Sequence, residues 1–399
     1  MFPNIVLISH DKNITYHSEK RDKKAGLYSK KLLRNMKRSL KVNIDQQSAI
    51  VILNQEYLAY HDLVDDLIKF NINKIFFFID DVFRIRYKKR VHINLLETHT
   101  IEQDFENTIF VELSLIENIL TQTNITDFEI FHCEKIPKKL LKKFKYNIKH
   151  FDLYLANWIF FKKDEDYSRN LPIDFKVTCF NHRRDWQRHL ISALLFDQPD
   201  VFLTTSNKYE YSDIIKNPYI NVNKYEEPFR SFFLTQIKKY DAEPVSFVDS
   251  HGQLVKKNHI SEHLDSQVQN ANAIYNLTER GFLNLVTETR FYTPMQYISE
   301  KSIKPIMVRR PFIILGAPHT LRLLKKMGFK TFNKWWDESY DNETNHSIRF
   351  AMVYDLVQNI LSNDIKNLEN VLSDMDSVLV HNYKNLKNIH TYFLKNLII

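Results

Sequence analysis

Glycine is scarce in this chain of 399 residues. Average usage of about 7% would give roughly 28 glycines. The chain has five, at Gly26, Gly252, Gly281, Gly316 and Gly328. A dinucleotide-binding fingerprint needs three glycines within six positions, and a P-loop needs two around its phosphate-binding turn. The sequence therefore excludes both kinds of glycine-rich phosphate site.

Cysteine and long apolar runs are also lacking. Cys133 and Cys179 are far apart and have no histidines at metal-ligand spacing, so they predict neither a zinc site nor a disulfide framework and favour a reduced compartment. No run reaches about 18 uninterrupted apolar residues, which argues against a transmembrane helix. The start, MFPNIVLISHDKN, lacks a basic segment and a cleavage site and predicts a first strand.

Positive charge is in excess, with a formal net charge of +8 and a pI near 9.0. The excess favours an acidic partner: nucleic acid, anionic lipid, an anionic glycan or a nucleotide. Two basic clusters carry much of it, one spanning residues 20–41 and one comprising Lys135, Lys138, Lys139, Lys142, Lys143, Lys145 and Lys149. Such a cluster is usually a solvated face; the functional alternative is a surface that attracts an acidic acceptor or an anionic membrane.

The first part of the chain alternates short apolar runs with amphipathic segments. The runs predict strands at Asn4–Ser9, Ala49–Leu53, Lys74–Ile79, Thr108–Leu113 and Phe128–His132, and the segments predict helices at Leu27–Leu40, Glu56–Phe70 and Leu113–Leu120. This alternation is typical of a parallel sheet covered by helices. Ligands of such sheets bind beyond the carboxyl ends of strands, where His10, Asp11, Asp80 and Asp81 are expected.

A polar stretch at residues 162–174 predicts an interdomain linker between an N-terminal domain, 1–161, and a second α/β domain, 175–345. The second domain has predicted strands at Phe175–Cys179, Val201–Thr205, Val245–Val248, Phe282–Thr287 and Pro311–Leu315. Its predicted helices are Trp186–Phe196, Pro228–Lys239, Ile260–Leu277, Glu300–Met307 and Thr320–Met327. We expect two Rossmann-like, doubly wound domains, followed over 346–399 by helices Ser347–Leu361 and Leu368–Leu397 that pack back on the first.

The segment 282–341 holds the densest group of chemically useful residues. A predicted strand ends at Thr287-Glu288, and after a loop Ser299 and Glu300 begin a helix, with Lys301 and Lys304 in its first turns. A helix start of this kind attracts an anion through its dipole and its free N–H groups. Gly316 follows the next predicted strand at the same edge of the sheet.

Arginines follow the first strand of the second domain. Arg183 and Arg184 come just after that strand, and Arg188 lies one turn into the next helix. One guanidinium group can donate two parallel hydrogen bonds to the oxygens of a phosphate, so arginine at this edge suits a diphosphate. Together with the helix start, these residues predict a nucleoside-diphosphate site that needs no glycine-rich loop.

The stretch Tyr297–Lys301, with Lys304-Pro305-Ile306 and then Pro311–Gly316, resembles the "TEK … P … G" segment of fucosyltransferase-like enzymes of the two-domain GT-B fold. The continuation through Gly328 to Asp341 is similar to virus-encoded members of that group. The resemblance covers roughly residues 175–345. Two departures are Ser299 in place of the usual threonine and a longer Glu288–Glu300 interval.

The resemblance implies a glycosyltransferase with its donor in a cleft between domains and a glycan or another hydroxyl compound as acceptor. Glu300 would contact the ribose or sugar, Lys301 the diphosphate, Arg183 or Arg184 the phosphates, and Glu288 would lie near the nucleoside. It further implies a GDP-sugar as the favoured donor and no separate cofactor. The expected location is the cytoplasm, of the host cell if the source is a virus, with a peripheral position on a membrane as the alternative. The D-x-D sequence of this half, Asp374-Met375-Asp376, falls in a predicted helix, so metal-independent transfer is expected.

The base that would deprotonate a hydroxyl acceptor is not defined by the sequence. Asp80, Asp81, Asp11 and His10 are the candidates, by their predicted places at strand ends. Two other functions stay open: a basic nucleic-acid-binding protein, and a glycosyltransferase that modifies DNA. A catalytically inactive scaffold of the same shape is a further alternative.

Overall fold

The structure, a computed structural model, describes more than half of the chain in several stretches. These are residues 5–6, 48–54, 64–65, 67–68, 71–80, 101–133, 135–151, 155, 159, 166–168, 170–181, 186–205, 235, 254–255, 273–389 and 392. Among these residues no helix is both long enough and apolar enough to cross a membrane. The predicted helix Leu27–Leu40, the predicted strand Val245–Val248 and the first basic cluster lie outside them.

The chain divides into two compact units. The first comprises Met1–Lys162 with Ile389–Ile399, and the second comprises Lys163–Asn388. Hydrogen bonds tie part of the predicted linker to the second unit: Ser168 Oγ and the Asn170 N–H both donate to the Glu279 carboxylate, at 3.0 and 2.7 Å. The domain boundaries drawn from the sequence stay a prediction.

A five-stranded sheet forms the first unit, with its strands in chain order. They are β1 (Ile5–Val6), β2 (Ser48–Asn54), β3 (Lys74–Asp80), β4 (Asp127–His132) and β5 (Ile148–His150). Strands β2 to β5 pair in parallel, and β1 is an antiparallel edge strand. Residues 75–79 of β3 are all buried, as expected of a strand covered on both faces. The α/β fold class is confirmed here.

One predicted strand of this unit is wrong. Thr108–Leu113 lies inside helix α1 (Ile101–Thr123), which connects β3 to β4. The buried apolar side chains described in α1 recur at intervals of four, three and three, which is the helical period: Ile109, Leu113, Ile116 and Ile119. The run TIFVEL is rich in β-favouring residues, but the longer amphipathic pattern decides its structure. A short helix, α2 (Lys138–Leu141), leads to β5, a strand the sequence did not predict.

The second unit contains another five-stranded sheet, in the order β10-β9-β6-β7-β8. Its strands are β6 (Phe175–Phe180), β7 (Val201–Thr205), β8 (Leu254–Val255), β9 (Gly281–Thr287) and β10 (Phe312–Leu315). All pair in parallel except β8, an antiparallel edge strand. The described helices between them are α3 (Trp186–Leu195), α4 (Ala273–Glu279) and α5 (Glu300–Met307), and α6 (Thr320–Lys326) follows β10.

This strand order creates a switch point in the second sheet. From β6 the chain passes through α3 to β7 on one side, whereas from β9 it passes through α5 to β10 on the other. The neighbouring strands β6 and β9 therefore send their connections in opposite directions. In open α/β sheets, a crevice at the carboxyl ends of such a pair is where ligands bind.

Close packing between β6 and β9 explains one of the few glycines. A Cβ at Gly281 would lie 2.5 Å from Thr178 Cγ2, and real Cβ atoms do not come that close to a carbon. Thr178 is itself buried and donates from Oγ1 to Asn284 Oδ1 at 2.7 Å. All seven residues of β9 are buried, as expected of an interior strand that is covered on both faces.

Helices complete the second unit after a short 3-10 turn (Ser339–Asn342). They are α7 (His346–Leu361), α8 (Ile365–Asp374) and α9 (Asp376–Asn388). The single helix predicted at Leu368–Leu397 is thus two helices that meet at Met375 over the described residues. Asn382 of α9 bonds both the N–H and the carbonyl of Lys330, at 2.7 and 2.9 Å, so α9 packs on this unit.

Candidate functional site

The ends of β6 and β9 are joined by buried polar side chains. Thr287 Oγ1 donates to Asn181 Oδ1, and Asn181 Nδ2 donates to Ser192 Oγ in α3 at 2.9 Å. All three residues are buried. Because these side chains bond one another away from water, the two strand ends and α3 are held in one arrangement at the switch point. Asn181 was not singled out from the sequence; its place two residues after the predicted strand Phe175–Cys179 was the only signal.

Glu288 anchors the start of α5 to the end of β9. Its Oε1 accepts hydrogen bonds from the Ser299 N–H (2.9 Å), Ser299 Oγ (3.0 Å) and Ser302 Oγ (2.7 Å), and its Oε2 accepts one from the Thr289 N–H (2.9 Å). The side chain is completely buried. A buried carboxylate needs such donors, and here they fix where α5 begins. Glu288 therefore acts within the protein framework, and its expected place near a nucleoside stays a prediction.

Helix α5 begins as predicted, with Ser299 as its N-cap. The Ser299 hydroxyl accepts from the Lys301 N–H at 3.3 Å, and the Ser302 N–H donates to the Ser299 carbonyl at 3.2 Å. These two N–H groups of the first turn are thus used within the protein, whereas the sequence led us to expect free ones. What the helix start offers an anion is the positive end of its dipole together with Lys301 and Lys304.

The charged residues of α5 form a compact group. Lys301 Nζ lies 3.0 Å from Glu300 Oε1, and about a fifth of each side chain is exposed, 20% and 22%. Burial raises the pKa of Glu300, but the charges of Lys301 and Lys304 outweigh it, so the pKa of this carboxyl lies below its usual value. Burial lowers the pKa of Lys304, against the opposing charge of Glu300. Glu300 is therefore ionised at neutral pH and within reach of a ligand.

Arg188, a predicted phosphate ligand, is buried in the framework of the site. Its Nη2 donates to the Thr287 carbonyl at 3.0 Å, and the neighbouring Gln187 Nε2 donates to the Glu288 carbonyl at 3.2 Å. Both side chains are 1% exposed. Helix α3 is thus tied to the end of β9 by two side chains. Arg183 and Arg184 lie outside the described residues, so their predicted roles stay predictions.

Gly316 lies at the carboxyl end of β10, against Glu288. A Cβ at Gly316 would lie 3.3 Å from Glu288 Cβ, so a larger residue would press on the anchor of α5. The Gly316 carbonyl accepts a hydrogen bond from Arg349 Nε at 3.0 Å. Six predicted donor-binding residues therefore belong to one edge of the second sheet: Glu288, Ser299, Glu300, Lys301, Lys304 and Gly316.

Arg349 is a residue of this edge that sequence reasoning missed. Besides Gly316, its guanidinium donates to the carbonyls of Glu343 (2.7 Å) and Phe291 (2.6 Å). The side chain is 1% exposed and lies over the Phe291 ring at 4.4 Å. Burial lowers the pKa of Arg349 to about 10, so it stays charged at neutral pH. It connects the loop before α5 to the end of β10, and no local pattern in the sequence marks it.

The four candidates for the acceptor base belong to the first unit. Asp80 ends β3, where its backbone pairs with Asn54 of β2. His10, Asp11 and Asp81 lie outside the described residues. None of the four roles is tested by the geometry, and they stay predictions.

Potential metal ligands are dispersed over the described part of the chain. Among these residues, no group of three or more His, Cys, Asp or Glu side chains is arranged to hold a metal ion. Asp374 of the D-x-D sequence accepts from Lys334 Nζ at 2.8 Å and from Trp335 Nε1 at 2.6 Å. It therefore serves as a packing contact at the junction of α8 and α9.

No protein-family model matches the chain, and neither does any curated protein. Solved structures do match. One is the DNA-modifying enzyme β-glucosyltransferase, studied with and without uridine diphosphoglucose: the TM-score is 0.43, the identity 12%, and 95% of each chain is covered. Another is T4 phage BGT in complex with UDP and Mn²⁺, with a TM-score of 0.39 and 12% identity over 88% of this chain and 82% of that one. Similarity this low does not define an activity for the chain.

Proposed function

We propose that the protein is a glycosyltransferase that moves a sugar from a nucleoside-diphosphate sugar to a hydroxyl acceptor. The observation that carries the proposal is the start of α5: Glu300 and Lys301 stand part-exposed beside the β6–β9 switch point, on a helix start anchored by Glu288. Ligands of open α/β sheets bind at this place. A carboxylate beside an ammonium group suits a ligand that carries both hydroxyls and phosphates.

The proposed roles follow from charge. The ammonium groups of Lys301 and Lys304, with the dipole of α5, would stabilise the negative charge that develops on the leaving diphosphate. Glu300, kept ionised by these lysines, would accept hydrogen bonds from hydroxyls of the ribose or sugar. Arg183 and Arg184 would add bidentate contacts to the phosphates.

The finer features rest on the sequence resemblance. We propose a fucosyltransferase-like enzyme that prefers a GDP-sugar and works without a metal ion, with its base among Asp80, Asp81, Asp11 and His10. The cationic residues around α5 support the metal-independent part, because positive side chains and a helix dipole perform the task that a divalent ion performs in other transferases.

A thermal-shift screen of GDP, UDP, CMP and dTDP, each with and without a sugar, tests donor binding. A ligand that binds only the folded protein raises its melting temperature. At a ligand concentration 100 times the Kd, the added free energy of unfolding is about 2.7 kcal/mol. We expect a shift with one nucleotide family, strongest for GDP, and a loss of the shift in Lys301→Ala. No shift with any of these ligands would contradict the proposal.

A further inference from the structure

A strongly basic surface lies in the first unit, separate in sequence from the proposed donor site. Residues 135–151 contain seven lysines and no acidic residue. Five of these lysines are exposed and form what we call the lysine surface: Lys138, Lys139, Lys142, Lys143 and Lys145. It comprises α2 and the turn that leads into β5.

The segment that carries the lysine surface is anchored by apolar side chains buried in the core of the first unit. Leu140, Phe144 and Ile148 are buried at 1%, 8% and 5% exposure, so the apolar side of the segment packs into the core. Lys145 pairs with Glu117 at 2.8 Å, but both side chains are exposed, and such pairs are weak. Lys138, Lys139, Lys142 and Lys143 are exposed to solvent as well. Their charges can therefore meet an anionic partner.

An exposed aromatic ring adjoins these lysines. Phe110 of α1 is 45% exposed, and its ring meets that of Phe144 edge-on, with 5.1 Å between centroids. An exposed phenylalanine next to a cationic surface is unfavourable in water alone, because its apolar area stays hydrated. At a lipid headgroup region, by contrast, lysines meet anionic phosphates and a phenylalanine enters the acyl boundary.

We propose that the lysine surface, with Phe110, binds the anionic headgroup surface of a membrane, so that the protein attaches peripherally. Clusters of four to eight basic residues are of the size that binds acidic lipids. Nucleic acid is the weaker candidate, because residues 135–151 contain no arginine, the residue that pairs bidentately with phosphate, and because a duplex offers Phe110 no apolar contact.

The lysines and Phe110 should contribute to the membrane affinity by different amounts and with different dependence on salt. A lysine near an anionic bilayer strengthens binding about fivefold, so losing four lysines should weaken binding by about two orders of magnitude or more. Losing the Phe110 ring should weaken it about tenfold. The lysine contribution should fall as salt is raised, whereas the Phe110 contribution should persist.

Vesicle co-sedimentation of the full chain tests this, using phosphatidylcholine vesicles with and without about 30% phosphatidylserine. The lysine variant replaces Lys138, Lys139, Lys142 and Lys143 with glutamine. Its control makes the same replacement at four exposed lysines of the second unit, Lys326, Lys330, Lys366 and Lys384, and so loses the same charge. Phe110→Ser is matched by Ile348→Ser, which removes another exposed apolar side chain, 50% exposed, from the second unit.

We expect phosphatidylserine-dependent binding that the lysine variant loses, that Phe110→Ser weakens, and that both controls retain within about threefold. Equal losses in the lysine variant and its control would overturn the proposal, since net charge alone would then explain binding. Absence of binding to the acidic vesicles would also overturn it. So would tighter binding to duplex DNA at the same salt concentration with no effect of Phe110→Ser, because the surface would then be a nucleic-acid site.

Discussion

Removing the Glu288 carboxylate should destabilise the second unit strongly. Glu288→Ala leaves the donors of Ser299, Ser302 and Thr289 without their acceptor in a buried place. Breaking a buried charged network of this kind costs about 3–5 kcal/mol. For a domain of about 150–250 residues, each kcal/mol lowers the melting temperature by about 2–4 °C, so we expect a decrease of about 10 °C.

Glu288→Gln refines the same prediction. The amide keeps the size of the side chain but replaces one acceptor oxygen with a donor, which then faces an N–H or hydroxyl donor. We expect a smaller loss of about 1–3 kcal/mol, together with weaker nucleotide binding because the start of α5 shifts. Thermal denaturation followed by circular dichroism measures both variants, with Glu369→Ala, at an exposed position, as control. A Glu288→Ala protein that melts within about 2 °C of wild type would refute the anchoring role.

Three further predictions concern the same unit. Arg349→Met should lower the melting temperature by several degrees, because three carbonyls lose their donor, and Arg349→Lys should be intermediate. Burial and the Arg349 charge lower the pKa of His346 from 6.5 to about 4, so protonation of this imidazole favours the unfolded chain. The free energy of unfolding should therefore fall as the pH decreases from about 6.5 to 4. In melting curves measured across this pH range, His346→Gln should show a smaller decrease than wild type. Gly281→Ala should cost about 1–3 kcal/mol through its clash with Thr178, and adding Thr178→Ser should recover part of the loss in urea unfolding.

Local sequence patterns predicted the elements at the carboxyl-end edge of the second sheet well. Helix α5 has its predicted bounds because a serine cap, an acidic first residue and an apolar face all agree. Strands β9 and β10 follow from short apolar runs that end at Thr287 and Leu315 as expected. Where neighbouring residues along the chain determine the structure, the sequence was sufficient to predict the helices and strands.

Long-range contacts were beyond such reasoning. Glu288 was predicted as a ligand neighbour, but its partners Ser299 and Ser302 come after a loop whose path no local pattern specifies. Arg349 lies in a helix that the sequence suggested only for packing, and its contact with Phe291 joins residues far apart in the chain. Helix α1 shows the converse case, in which apolar β-favouring residues predicted a strand that the longer helical period overrides.

Donor turnover in wild type and Lys301→Ala tests the central proposal most directly. The measurement is release of the nucleoside diphosphate from the sugar donor identified by thermal shift, with Lys326→Ala, an exposed lysine of α6, as control. We predict turnover in wild type and the control, and a loss of about two orders of magnitude or more in Lys301→Ala at an unchanged melting temperature. Equal turnover in wild type and Lys301→Ala would contradict the assignment of the start of α5 as the diphosphate site.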